Sequence, residues 1–191
     1  MATLYSNHYN SSGTVGPGEG ALTEELGLDS TKKVSAGLSH SRLRRSHAKC
    51  TVGTVAGASD EIRMLTLKSS DRLHSLLWST DGGSTNGTAD LGWYKSGAAH
   101  NGALPSTNSV DAFSTTAFDI KTAAGRTEAF ELGDLDTEDI GKQVWELINV
   151  SDASTYTVDP GGTFDITWTV VEAVSVAVVT VQLEAYYTSG D

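Results

Sequence analysis

The chain has 191 residues, of which 38% are hydrophobic and 19% are charged, and its formal net charge at pH 7 is −11. This size and composition suit one folded domain, with or without an appendage, and exclude a chain that is disordered throughout. The single cysteine, Cys50, excludes an internal disulfide and a metal site built from several cysteines.

The N-terminal stretch MATLYSNHYNSSG lacks the basic and apolar regions of a signal peptide, so we do not expect one. Along the whole chain there is no run of about 18 apolar residues, and we expect no membrane span.

Charge is distributed unevenly along this acidic chain. Residues 1–31 contain four acids and no base, whereas residues 32–49 contain six bases and no acid. Residues 73–191 contain 17 acids and four bases, a net charge of −13. Such segregation indicates that an arm and a body have separate roles.

Residues 1–47 are predicted to form an extended N-terminal arm. Glycine, serine, threonine and asparagine occur throughout, and the few large apolar residues are scattered, so the segment alone cannot bury enough surface to offset its ordering entropy. A disordered tail and an arm that orders on a partner are both consistent with this, and we favour the second. The arm carries a basic docking segment, residues 32–49. Its candidate partner-docking residues are Lys32, Lys33, Arg42, Arg44, Arg45 and Lys49.

Residues 48–191 are predicted to form the body. Short apolar or β-branched segments alternate with turn residues, which is typical of strands. In EIRMLTL, Ile62 and Met64 are predicted to share one face, with Arg63 and Leu65 on the other. The run STDGGSTNGTAD is predicted to be a loop, ADLGWYK a strand, and VDAFSTTAFDI one or two strands.

One helix is predicted near residues 136–149. The segment DLDTEDIGKQVWELINV places Ile140, Val144 and Leu147 on one helical face, and Asp136 or Thr137 can cap its first turn.

The C-terminal segments TFDITWTV and VVTVQLEAYYT alternate apolar and polar residues, which predicts two long strands in an antiparallel hairpin with one buried face. Together these elements predict a mainly β fold, an antiparallel β-sandwich of jelly-roll-like type.

Motifs for chemistry are absent from the sequence. DGGSTNGTAD has oxygen-bearing side chains but lacks the spacing of a calcium loop, and the five histidines lack metal-ligand spacing. Neither a nucleophile motif nor a recognisable carboxylate pair occurs. We therefore predict a protein that is not an enzyme and that needs no cofactor or metal. Cys50 is predicted to be a small core residue.

The run GLSHSRLRRSHAKCTVGTVAGASDEIRMLTLKSSDRL, followed by STDGG, DLGWYK and GKQVWELINV, resembles virion structural proteins of tailed bacteriophages, of the capsid decoration (cement) type. The resemblance is one of pattern and covers most of residues 37–188. It implies a place on the capsid surface of a virion after synthesis in the host cytoplasm. It also implies contact with the major capsid protein or other virion proteins, and a homo-oligomer with a trimer favoured.

Two alternatives stay open. A tail, neck or host-receptor-binding β module would use the loops at 79–90 and 96–108, with Trp93, Tyr94 and His100 as contacts. A nucleic-acid-contacting virion protein would use the basic segment, but residues 73–191, with a net charge of −13, would be repelled by phosphate, so nucleic acid is not favoured. We expect the basic segment to dock instead on an acidic protein surface, including that of a neighbouring copy.

Overall fold

The structure is a computed structural model that describes residues 3–5, 43–52, 57–96, 103–106, 109–114, 116–130, 135–151, 156–174 and 178–189. The strands within these residues are β1 (Thr3–Tyr5), β2 (Leu43–Val52), β3 (Glu61–Lys68), β4 (Arg72–Thr80), β5 (Thr88–Lys95), β6 (Phe118–Asp119), β7 (Ala124–Glu128), β8 (Thr163–Glu172) and β9 (Val179–Thr188). A 3-10 turn (Ser109–Asp111) and one α-helix, α1 (Val144–Ser151), complete the regular elements of these ranges.

The strands form two sheets. One has five strands in the order β1-β3-β8-β5-β6, and the other has four in the order β2-β9-β4-β7. Every strand pair is antiparallel except β1 with β3, which is parallel. The fold is therefore mainly β and consistent with a β-sandwich, as the sequence predicts. The jelly-roll-like character stays a prediction.

Aromatic rings join the two sheets at the centre of the core. Trp78 of the four-stranded sheet meets Phe118 and Trp168 of the five-stranded sheet at centroid distances of 5.0 and 5.9 Å. Phe118 and Trp168 are themselves 5.1 Å apart. All three pairs have the edge-to-face geometry that aromatic rings prefer, so the two sheets enclose one common core.

The predicted C-terminal hairpin is wrong. β8 lies between β3 and β5 in one sheet, whereas β9 lies between β2 and β4 in the other. Alternation shows which face of a strand is buried, but it does not show which strand lies beside it. The polar side of β8 is not solvent-exposed either, because Asp165 and Thr167 are also buried.

The predicted faces of β3 are also wrong. A β-bulge between Arg63 and Leu65 shifts the register by one residue. Ile62 pairs with Trp168 and Leu65 pairs with Ile166, so both face the core, while Arg63 lies on the opposite face. A bulge changes the side-chain period locally, which a strict period of two cannot reveal.

The helix is shorter than predicted and begins at Val144. Gly141 has φ of +86°, which interrupts the helical pattern, and the carbonyl of Lys142 accepts a hydrogen bond from the Leu73 amide. The Gln143 amide donates to the Glu146 carboxylate at 2.8 Å, which caps the first turn. Among the described residues, no helix has the length and apolar character needed to cross a membrane.

β2 includes part of the stretch that the sequence pattern assigns to the arm. Residues 43–47 pair with β9 in one unbroken register that runs to Val52. At the other end of that stretch, β1 pairs in parallel with the start of β3. Residues 6–42 lie outside the described residues, and the division into an arm at 1–47 and a body at 48–191 stays a prediction.

Candidate docking face

The alternation of β2 determines which residues of the basic segment point outward. Ala48, Cys50 and Val52 are buried in the core, so the predicted core role of Cys50 is confirmed. The residues that alternate with them along β2, including Arg45 and Lys49, therefore lie on the outer face of the four-stranded sheet.

Cross-strand pairing extends this outer face onto β9. Arg45 pairs with Tyr186, His47 with Glu184 and Lys49 with Gln182, and cross-strand partners share a face. Arg126 reaches the same surface from β7, at the far edge of the sheet. We call this surface the docking face. Its members are Arg45, His47, Lys49, Arg126, Gln182, Glu184 and Tyr186.

Glu184 holds the docking face together. One of its carboxylate oxygens accepts hydrogen bonds from Arg45 Nε and from the Tyr186 hydroxyl, and the other accepts one from Arg126 Nη2. The Glu184 side chain is only 8% exposed, whereas those of Arg45 and Arg126 are 58% and 56% exposed. The acid thus lies beneath two guanidinium groups that remain open to solvent.

These contacts change the ionisation of Glu184. Burial of the carboxyl raises its pKa, but the hydrogen bonds from Arg45 and Tyr186 and the charges of Arg45 and Arg126 lower it by more. The pKa of Glu184 therefore lies below its usual range, and the carboxylate is charged at neutral pH.

We expect Glu184 to make stability depend on pH. A carboxyl whose pKa is lower in the folded chain stabilises the fold above its unfolded pKa of about 4.3, and this stabilisation is lost as the pH falls through the folded value. The urea midpoint of wild-type protein should therefore fall more between about pH 6 and pH 3 than that of Glu184→Gln. Glu172→Gln, which alters an exposed acid at the end of β8, should keep the wild-type dependence. If the urea midpoints of all three proteins fell equally between these pH values, this role of Glu184 would be contradicted.

A shallow depression lies beside the two arginines. Its volume is about 40 Å³, and it is lined in part by His47, Ser79, Arg126, Gln182 and Glu184. His47 Nε2 lies 3.3 Å from Gln182 Oε1. Guanidinium, imidazole, hydroxyl and amide groups can donate hydrogen bonds to a small anionic group here, and the negative charge of Glu184 in the lining is offset by Arg45 and Arg126.

The structure places the predicted docking residues differently from one another. Arg45 and Lys49 lie on the docking face, and Arg44 lies on β2 opposite Tyr187, which packs against the core. Lys32, Lys33 and Arg42 are outside the described residues. The docking role of all six stays a prediction.

Sequence reasoning missed Arg126 and Glu184. They are 58 residues apart, and Glu184 is 139 residues from Arg45, so no local pattern joins them. One signal was present, because Glu184 lies on the polar side of the alternating β9 segment.

A second ionic cluster is buried on the other sheet. Arg63 donates to Glu61 and to Asp165, each at 2.8 Å, and its guanidinium lies 5.2 Å from the ring centre of Tyr94. The side chains of Arg63, Glu61 and Asp165 are 7%, 10% and 1% exposed. The hydroxyls of Tyr94 and Thr169 share a hydrogen bond of 2.9 Å. The three charged side chains are enclosed in the fold, so they offer no surface to a partner.

The contacts expected of a receptor-binding module are wrong where the structure describes them. Trp93 is 0% exposed and Tyr94 is 4% exposed, because both belong to the buried strand β5. Neither can touch a host surface. His100 lies outside the described residues.

The loop between β4 and β5 is held by contacts within the chain. The Asp81 carboxylate accepts a hydrogen bond from the Thr180 amide at 2.6 Å, and the Gly83 amide donates to the carbonyl of Lys121. Over the described part of the chain, no three His, Cys, Asp or Glu side chains are grouped so that they could hold a metal ion.

No protein family and no curated protein matched the sequence. Two solved structures contain a similar chain. The match in "Capsid of Ralstonia phage GP4" is 13% identical with a TM-score of 0.48, covering 80% of this chain and 87% of that one. The match in "Cyanophage Pam1 capsid asymmetric unit" is 15% identical with a TM-score of 0.39, covering 77% and 84%. Both structures are of phage capsids. The likeness concerns the arrangement of the chain, and function has to rest on the residues.

Proposed function

We propose that this protein is a non-enzymatic structural protein of a phage virion that decorates or cements the capsid. The observation that carries the proposal is that the end of the basic segment forms a paired strand with a positive charge exposed on its outer face. Residues 43–49 belong to a strand paired along its whole length, and the Arg45 guanidinium is exposed at its surface. A positive face on a rigid sheet is suited to docking on a protein, because few groups have to be ordered when it binds.

The ionic groups of the described residues support a structural role. Arg63, Glu61 and Asp165 pair with one another inside the fold, and Glu184 pairs with two arginines beneath the docking face. In both clusters each charged group is paired with an opposite charge, so the lowered pKa of Glu184 follows from its pairing with the arginines and needs no catalytic role to explain it.

The partners that fit this face are acidic protein surfaces. In the proposed setting these belong to the major capsid protein, to other virion proteins or to neighbouring copies in a homo-oligomer, for which a trimer is favoured. The protein would be made in the host cytoplasm and would act on the capsid surface. The arm predicted at residues 1–47, with Lys32, Lys33 and Arg42, would add to the same attachment.

Nucleic acid is a poorer fit for the docking face. Residues 73–191 have a net charge of −13 and would repel the phosphates that a nucleic acid presents along its whole length. A receptor-binding role is not supported by Trp93 and Tyr94, because both side chains are buried. A protein of the tail or neck could use the same docking chemistry, so an experiment has to distinguish that position from the capsid surface.

The first test is sedimentation of the native protein from its source after nuclease treatment. We expect it to migrate with particles at low salt and to be released at high salt, because exposed ion pairs are screened. Migration as a free protein of a few subunits would overturn the proposal. Gold-labelled antibody on intact particles should label heads, and labelling confined to tails or necks would overturn the decoration role.

The docking residues can be tested by rebinding released full-length protein to the stripped particles. Neutralising Lys32, Lys33 and Arg42 together, or Lys49 alone, should weaken rebinding several-fold, because an exposed ion pair contributes about 0.2–1 kcal/mol. Lys68→Gln is the matched control, since it alters an exposed strand lysine of the other sheet. Equal rebinding by all of these proteins would contradict the assigned docking role.

A further inference from the structure

We infer that the docking face binds the acidic turn at residues 135–139 of a second copy of this chain. The contact would be made by carboxylates of one subunit and guanidinium and ammonium groups of the next. This inference concerns the isolated protein and holds whether or not the protein is part of a virion.

The first argument is the depth at which the charges of the docking face lie. The carboxylate of Glu184 is almost buried, while the guanidinium groups of Arg45 and Arg126 are more than half exposed. Lys49 adds an exposed positive charge on the same face of β2, four residues after Arg45. Glu128 at the sheet edge is bound by the Ser75 hydroxyl and the Leu76 amide. Lys49 lies near Asp81, whose pKa its charge helps to lower. Above Glu184, an approaching partner therefore meets the positive charge of the two arginines first.

The second argument is the preorganisation of the two arginines. Glu184 binds Arg45 through Nε and Arg126 through Nη2, which fixes both side chains over one carboxylate. A guanidinium has five N–H donors in a planar fork that matches a carboxylate. Because the two forks are already held in place, an incoming acidic side chain has little side-chain entropy to overcome. The adjoining depression has room for its carboxyl group.

The third argument is the form of the acidic turn. Asp136 and Glu138 are exposed, whereas Asp139 is 4% exposed and bound by Lys142. The Asp139 carboxylate also accepts from the Asp136 amide at 3.0 Å, and the Asp136 carboxylate accepts from the Glu138 amide at 2.8 Å. The turn is therefore fixed by its own hydrogen bonds. It presents two outward acids two residues apart, which complements a pair of fixed cations.

The two surfaces differ, so the contact is heterologous, with one surface on each subunit. Repetition of such a contact closes into a ring when the rotation between subunits allows it. A ring uses every docking face and every acidic turn, and it is the assembly we propose. Its contacts are ionic and exposed, so it should dissociate as salt rises.

Zero-length carbodiimide coupling of full-length protein tests the contact directly. Equal amounts of ¹⁴N- and ¹⁵N-labelled protein are mixed at high salt, returned to low salt and cross-linked. We expect peptides that join Lys49 to Asp136 or Glu138, with about half of them containing one light and one heavy partner. Cross-links between subunits that systematically exclude these residues would overturn the inference, as would a wild-type protein that is monomeric at low salt.

Charge exchange supplies the second readout, by equilibrium sedimentation of full-length variants. Lys49→Glu and Glu138→Lys should each weaken self-association at least about tenfold, and the combination of both should regain much of the loss, because the pair is restored with its signs reversed. Lys68→Glu, on the other sheet, should associate like wild type. Neither Lys49 nor Glu138 is buried, so each variant should fold, and its urea midpoint checks this.

Two results of the exchange would overturn the inference. One is a double variant that associates no better than either single variant. The other is wild-type self-association that is unchanged in Lys49→Glu while binding of a DNA duplex is lost, which would assign the docking face to phosphate.

Discussion

Replacing Arg63 with methionine is expected to destabilise the fold by about 3–5 kcal/mol, because it leaves two buried carboxylates without their cation. Glu61 and Asp165 each accept a hydrogen bond from Arg63 at 2.8 Å, and all three side chains are at most 10% exposed. The measurement is the free energy of unfolding in urea at neutral pH.

A triple variant separates the loss of the pair from the loss of packing. Arg63→Met combined with Glu61→Gln and Asp165→Asn removes every charge of the cluster and should recover much of the lost stability. Arg126→Met is the matched control, because that arginine is exposed and Glu184 keeps Arg45, so its effect should be much smaller. A free energy for Arg63→Met within about 1 kcal/mol of wild type would contradict the assigned role of the cluster.

Replacing Gly92 with alanine is expected to destabilise the fold by about 1–3 kcal/mol or more, because the space for a methyl group is occupied by backbone. A Cβ atom at Gly92 would stand 1.9 Å from the carbonyl oxygen of Ser109 and 2.5 Å from the carbonyl carbon of Val110. The 3-10 turn would have to move away from β5. That movement would strain the packing of Phe113 on Trp93, whose ring centres are 5.2 Å apart.

Gly125 is the matched control for Gly92. It also lies in a strand, but a Cβ atom there would meet nothing within 4 Å. Gly125→Ala should leave the urea midpoint unchanged or raise it slightly, since alanine restricts the unfolded chain. If the two glycine variants have the same stability, the turn at Ser109–Asp111 is not packed on β5 as described.

The docking face and the buried Arg63 cluster show how burial changes the role of an ion pair. Arg63 is enclosed with its two acids, so the cluster contributes to the stability of the sheet and has no surface for a partner. Glu184 is equally enclosed, but its arginines reach solvent. The same chemistry thus gives an enclosed cluster in one sheet and a surface with exposed positive charge in the other.

Local periodicity was enough to predict several strands of the body and the class of fold. Phe164, Ile166, Trp168 and Val170 alternate with polar residues, and all four are buried in the sandwich. The face of a strand that enters a core follows from the side-chain period of the chain itself. A helix was predicted in the right region for the same reason, although Gly141 moves its start to Val144.

The pairing of the strands was decided only by the tertiary structure. β8 and β9 have the same alternation and are neighbours in sequence, yet they lie in different sheets, because pairing depends on contacts between segments far apart in the chain. The bulge in β3 likewise appears only where Arg63 meets its partners on β8.

The sequence by itself determined a mainly β body and a concentration of positive charge at residues 32–49, since composition and periodicity are properties of the chain. The tertiary structure decided what that charge faces. Arg45 meets Glu184 and Arg126 only when β2, β9 and β7 are brought into one sheet. Glu184 is 58 residues from Arg126 and 139 residues from Arg45, and the three charges interact through space. A local sequence pattern cannot reveal an interaction between residues so far apart in the chain.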